Sequence, residues 1–550
     1  MIKPFAVCSL LLSSFAVFAQ PTRQDTLKGS ITPERKWWDV LHYDLTIRPD
    51  YLTRTVTGTN TIEYRVVEKT HPEEMQVDLQ DPLVIDSAIV EGRQLALRRD
   101  GDAWFVKIPF RSTGSIHHIA LYYHGKPRES VHAPWDGGLI WTKDSLGRPW
   151  MAVACQLIGS SVWYPCKVHL GDEPDRGATI SLIVPDTLVG VSNGRLQKKL
   201  VNGNGTATYR WVVVDPINNY GITYYIGKYV PVADSLHGEK GVLPIQYWVL
   251  DYSKRRAETY LSAEVHRTFR AFEHWLGPYP FYEDGFKMVE APYIGMEHQG
   301  AIGYGNHFTL GRYGAKRLTH WDWKVDRMVT HENAHEWFGN SITARDPADR
   351  WLQEGLAGYA EELAVESFYG RKAAEEFFHD RTRHGGDSLW INDKPVISEY
   401  NIFKDGGEGM YFQGWELIHM IRAIVNDDVK FRKMLRGLSA EFYHQTVTSA
   451  QIENYISTAT GKDFSRLFDQ YLRTSGLPTL EYSLKGNVLS YRLTQCVTDL
   501  TLPLKTNWTG GKWLYTTTSW QSVKLPVGVV TGDLQIGDDF YLQASFVSSS

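Results

Sequence analysis

Cysteine is scarce: Cys8, Cys155, Cys166 and Cys496 are the only four in 550 residues. So few cannot build a disulfide scaffold, and no C-x-x-C pair offers a zinc ribbon. Cys8 lies in the N-terminal apolar run, which leaves three, an odd number that permits one bridge in an oxidising compartment. Strong charge is lacking too. Lys and Arg number 58 against 63 Asp and Glu, a formal net charge of −5, which gives no electrostatic case for nucleic acid. Beyond the first twenty residues no apolar run is long enough to span a bilayer as a helix. Internal repeats, low-complexity tracts and long flexible linkers are also absent.

What remains is a globular composition, 43% hydrophobic and 22% charged. The length exceeds one ordinary core, so several domains are expected. Residues 1–19 read as a cleaved secretory signal. Lys3 supplies a short positive region, an apolar run follows from Phe5 to Phe18, and Val17-Phe18-Ala19 ends it, with Gln20 as the mature start. The protein is therefore expected to be exported, to the periplasm or beyond, with no stable membrane span after cleavage.

The chain then changes texture twice. From about Trp37 to Val230, alternating runs such as "HYDLTIRP", "GTNTIEYRVV" and "TYRWVVVD" read as strands separated by Gly, Pro and Asp-rich turns. The middle is mainly helical after a strand-rich piece that ends before residue 305. "SKRRAETYLSAEVHRTFRAFEHWLG" carries Tyr260, Leu261, Val265, Phe269 and Phe272 on one side. Further helices are expected from about Trp321 to Phe338 and from about Pro347 to Phe368, with Asp346 and Pro347 opening the latter. After Gly476-Leu477-Pro478 alternation returns to the end. The reading is multidomain α+β. It divides into a β domain over 20–236, a mainly α-helical catalytic domain over 237–477, and a small C-terminal β-sandwich over 478–550.

The stretch "THENAHEWFGN" carries the chemistry. On a helix His331 and His335 sit one turn apart on one face, separated by about 6 Å of rise, so two imidazoles can converge on one ion. Glu332 is the next residue round, close enough to act on water beside the ion but poorly directed for ligation. A third ligand is needed, and Glu354 offers it from the following helix, in the pattern His331-Glu332-x2-His335-x18-Glu354. The fourth position then stays open, as in catalytic rather than structural zinc sites. The competing reading is a pair of hydrogen-bonded helix histidines. Glu361 and Glu362 read as solvated or supporting carboxylates, and Asn340 as a helix-end residue.

This pattern, with "WFGN" after it and "WLQEG" around Glu354, resembles the aminopeptidase N family of zinc metallopeptidases, gluzincins of peptidase family M1. The resemblance implies an N-terminal β saddle, a thermolysin-like catalytic domain and one Zn2+ per chain. It also implies a short form without the large C-terminal helical domain of many relatives, and hence a more open active site. Gln353 stands where the family usually has Asn.

An exopeptidase must recognise a free α-ammonium, and carboxylates beside the metal would bind that cation. "APYIGMEHQGAIGYGN" resembles the family's exopeptidase segment. Glu297 falls on its amine anchor, Gly295 and Met296 on the backbone that lies against an extended substrate, and His298 replaces an asparagine. In "ACQLIGSSVWYPCKVHLGDEPD", Gln156 matches a residue that joins the amine-binding set from the β domain; Ser161 stands where arginine is common. Tyr411, ahead of Gly414 and His419-Met420, matches the tyrosine that donates to the tetrahedral oxyanion, with Gln413 in place of a common lysine. A phenol stays protonated at neutral pH.

The resemblance therefore implies an aminopeptidase acting on peptides with a free N-terminus, with Glu332 as general base and Tyr411 as the second catalytic residue. On the same scaffold a zinc endopeptidase, an epoxide hydrolase or a catalytically silent peptide-binding relative is the alternative. Oligomeric state, the side-chain preference of the first-residue pocket and the pairing of the cysteines are not legible.

Overall fold

The computed structural model describes residues 21–314, 320–383, 394–403, 409–509, 512–525 and 534–548. The expected signal at 1–19 lies outside them.

The N-terminal region is built from three sheets of eight, four and three strands. Trp38–Asp50 is central to the largest, antiparallel to Thr55–Val66 and parallel to Ala178–Pro185. Its buried and open positions alternate, with one slip at Val40 and Leu41. A bulge between Val40 and His42 accounts for the slip, because one extra residue reverses which face each side chain takes. Tyr43, Leu45 and Ile47 face a core that also holds Trp163 and Trp211.

A five-stranded sheet follows, made of Tyr229–Gly238, Gly241–Leu250, Phe286–Glu290, Ile302–Tyr304 and Gly295–Met296 in that spatial order. The boundary drawn from sequence between residues 236 and 237 falls inside Tyr229–Gly238. Gly295–Met296 is the outermost strand, antiparallel to Ile302–Tyr304. Helix Lys254–Leu276 packs its Leu261, Val265, Phe269 and Phe272 into the same core as this sheet and ends at Gly277, whose φ is 98°.

The helix bearing His331 is shorter than expected. It runs Arg327–Ala334, after a separate 3-10 turn at His320–Trp323. Asp326 sets the start: its carboxylate accepts from Met328 N at 3.0 Å and Val329 N at 3.2 Å, and a capping residue has extended dihedrals that a continuous helix cannot contain. The next long helix is Trp351–Tyr369, preceded by a 3-10 turn Pro347–Asp349 that Asp346 caps. Gly409–Val425 packs across it.

The C-terminal strands form sheets of four and two. They share one apolar core with the helices rather than a separate one: Leu480, Leu489, Leu502 and Phe540 are continuous with Leu417, Met420 and Tyr471. His419 meets Asp539 at 3.3 Å, and Tyr541 N donates to Met420 Sδ. Cys155, Cys166 and Cys496 are free thiols. Among the described residues no helix is long and apolar enough to cross a membrane.

Candidate metal centre and cleft

His331, on its helix, and His335, at the helix end with αR dihedrals, aim their Nε2 atoms at one point. These nitrogens are 3.3 Å apart, and each is 3.5 Å from Glu354 Oε2. Tetrahedral zinc with ligands at 2.0–2.2 Å separates its donors by about 3.3–3.5 Å, so the three atoms fit that ion. The outer nitrogens fix the orientation. His335 Nδ1 donates to Phe338 O at 2.9 Å, a partner that can only accept, and His331 Nδ1 donates to Glu361 Oε1 at 3.0 Å. Both Nε2 lone pairs are thereby directed inward.

Charge points the same way. Glu297, Glu332, Glu354 and Glu361 are all nine-tenths buried or more. Burial raises Glu332 to about 7, although His331 and His335 pull it down. Burial also raises Glu297, with Glu354 adding to the rise. Burial opposes the charge on His335, but Glu354 outweighs it and raises the imidazole to about 9, so without the ion the ring holds a proton that the metal would displace. Glu354 itself is held well below the usual carboxylate range; burial works against this, and the two histidines prevail. A cluster so rich in carboxylates is balanced by a dication.

Glu332 stands beside the donors and against the edge strand. A Cβ on Gly295 would lie 2.3 Å from Glu332 Oε1, so only glycine lets the strand approach this closely. Glu297 is anchored by its backbone, whose carbonyl accepts from Asn340 Nδ2 at 2.9 Å. Asn340 thus ends the turn as expected and also holds the strand. Gln156 comes from the β domain: its Nε2 donates to Glu297 and, at 2.9 Å, to Glu354 Oε1. Arg350 Nη2 holds Gln156 O at 3.0 Å. Tyr411, half-buried, lies with its ring centroid 6.4 Å from that of His331. One cleft is lined by all nine residues singled out from sequence: Gln156, Gly295, Met296, Glu297, His331, Glu332, His335, Glu354 and Tyr411.

Of the two readings open for Glu361 and Glu362, solvated or supporting, the structure shows the second. Glu361 orients His331 and pairs with Arg327 Nε at 3.0 Å, and Glu362 accepts from Trp415 Nε1 and His419. Glu361 lies seven residues after Glu354, two turns on along one helix face, and that spacing is the signal that could have found it. Gln353, the departure from asparagine, donates to Tyr220 OH at 2.6 Å, and that phenol donates to Gly339 O. His298 is fully buried and bonds Tyr225 OH through Nδ1 at 2.8 Å. Trp135, Arg312 and Arg327 also line the cleft; none was singled out from sequence.

His331, His335 and Glu354, with Glu332 beside them, form a donor set that fits one zinc ion. A model of the peptidase family M1 domain matches residues 263–471. The chain is 24% identical over 469 residues to Aminopeptidase 2 of Candida albicans, covering 81% of this chain and 48% of that protein. It is 23% identical to Aminopeptidase N of Lactobacillus delbrueckii subsp. lactis, covering 82% of this chain and 53% of that one. The chain thus spans about half the length of these relatives. Among solved structures, the M1 zinc metallopeptidase of Deinococcus radiodurans superposes with a TM-score of 0.67 at 21% identity, over 80% of this chain and 94% of that one. This likeness establishes the fold: β sheets first, a helical domain carrying the metal donors, then β strands.

Proposed function

We propose that the protein is a zinc-dependent aminopeptidase that removes the first residue from peptides with a free N-terminus. One observation carries the reading: Gln156 bridges Glu297 and Glu354, so the site for a cationic amine adjoins the metal donors. A substrate whose α-ammonium sits there can bring only its first peptide bond to the reacting centre.

Zinc held by His331, His335 and Glu354 would supply Lewis acidity to the scissile carbonyl and to the attacking water. Glu332 takes the proton from that water and returns it to the leaving amine. Its place beside the donors and against the edge strand puts its carboxylate within reach of both the water and the leaving amine. Tyr411 donates its hydroxyl to the developing oxyanion. Glu297 and the amide oxygen of Gln156 hold the α-ammonium, which offsets the burial, and the nearby Glu354, that raise Glu297. The free edge of Gly295–Met296 pairs with the extended substrate backbone.

The test compares an aminoacyl-naphthylamide with its N-acetylated form, with and without chelator. Turnover of the free amine alone, abolished by chelator, is expected; equal turnover of the blocked form would make the protein an endopeptidase. Glu297→Ala should reduce the free-amine rate most. The N-terminal run at 1–19 supports export to the periplasm or beyond, and N-terminal sequencing of the mature protein checks it.

A further inference from the structure

The cleft has two ends of opposite charge. The helix Arg327–Ala334 gives the direction. Past its C-terminal end Asn340 holds the backbone of Glu297, and His335 lies beneath. At its N-terminal end Arg327 lines the cleft, and Arg312 is beside it, since Gly311 bridges to Asp326 in a short β contact. Glu332 stands between. Arg327 and His335 are eight helical steps apart, about 12 Å of rise. An extended peptide advances about 3.3 Å per residue. A substrate anchored at Glu297 therefore reaches the arginine end with its third residue, or with a long side chain on its second.

The two arginines differ in what they already hold. Arg327 Nε is committed to Glu361. The Arg312 guanidinium has no hydrogen bond or ion pair among the described residues. It lies over the Trp135 ring, 5.4 Å from the centroid, and the charges of Arg327 and Glu332 act on it with opposite sign. Trp135 comes from the β domain and is half-exposed at the cleft mouth, so a stacked cation is held there without being neutralised. A planar guanidinium in that position is a ready partner for a carboxylate.

We infer that Arg312, supported by Arg327 and seated on Trp135, binds a substrate carboxylate downstream of the scissile bond. This rests on the aminopeptidase reading and adds the substrate class: short peptides whose terminal carboxylate falls at this point, or peptides with an acidic second residue. Both sources present the same group, and a short zwitterionic peptide matches the polarity of the cleft.

Two matched substrate pairs test it: a tripeptide acid against its C-terminal amide, and an amidated peptide with Glu against Gln at its second residue. The protein should favour the carboxylate member of one pair by about tenfold in kcat/KM, the scale of one charge-assisted hydrogen bond. Arg312→Gln should bring that ratio close to one, and Arg312→Lys should retain part of it. A general injury to the site would lower both rates together and leave the ratio unchanged. Response of the acid–amide pair assigns the terminus, and response of the Glu–Gln pair assigns the side chain. Ratios near one in the unaltered protein, or a ratio that survives Arg312→Gln, overturn the inference. Titrating the same peptides calorimetrically into zinc-loaded Glu332→Gln protein reads the preference without turnover. Failure of the aminopeptidase reading, seen as no hydrolysis of the naphthylamide, is thereby kept apart from equal affinity for acid and amide, which overturns the carboxylate site itself.

Discussion

Gly355 and Gly414 mark the point where the helix of Glu354 and the helix of Tyr411 touch backbone to backbone. A Cβ on Gly414 would lie 2.8 Å from Cα of Gly355, and one on Gly355 would lie 2.7 Å from Cα of Gly414. Carbon atoms in contact rest at about 3.5–4.0 Å, so Gly414→Ala must part the helices by about 1 Å. Such overpacking costs about 1–3 kcal/mol, offset by up to about 1 kcal/mol of improved helix propensity. The net loss of about 1–2 kcal/mol should lower Tm by a few degrees in a domain of this size. Catalysis should suffer more. Gly355 adjoins Glu354, and Tyr411 lies one turn before Gly414, so the shift carries the phenol away from the metal donors. A displacement of about 1 Å can cost 10²-fold in rate. Steady-state kinetics on an aminoacyl-naphthylamide, calorimetry and zinc analysis form the assay. The expected result is a fall of about 10- to 100-fold in kcat with zinc retained. A Gly414→Ala protein with unaltered kcat and Tm would refute the claim that this contact sets the distance.

Glu361→Gln should weaken zinc binding by about 10- to 100-fold in a chelator competition, because the carboxylate orienting His331 is lost; unchanged affinity contradicts that role. Glu332→Gln should keep zinc yet lose about 10²–10⁴ in turnover, and near-normal peptidase activity would end the proposed mechanism. Tyr411→Phe should lower kcat by about 10²–10³ while KM moves little. His419 offers a test of stability against pH. Burial opposes its charge, but Glu362 and Asp539 raise it from 6.5 to about 9. Its contribution, at most about 3 kcal/mol, is full below the unfolded value and lost as pH rises through the folded one. The urea midpoint should therefore fall between pH 6 and pH 9.5, and His419→Gln should flatten that slope.

The metal donors were legible because helical periodicity alone puts His331 and His335 on one face, and the x18 spacing allows a second helix to return. The ends of that helix were less legible. Apolar spacing runs on past Asp326, and only its capping bonds, which need the folded backbone, show where the helix starts. The strand Tyr229–Gly238 alternates like those before it, so its pattern does not say which sheet it joins. For Glu361 and Glu362 the sequence left solvated and supporting roles open, and only their imidazole, indole and guanidinium partners, which need the folded helices, decide for the second. Trp135 and Arg312 had no signal at all, because each sits in a loop and they meet only when two domains do.

Gln156 belongs to one folding unit, while Glu297 and Glu354 belong to the next. The cleft is therefore finished only where the two halves meet: either half alone lacks part of the polar set that joins Gln156, Glu297 and Glu354, and a loosened seam would open the cleft before it unfolded either core.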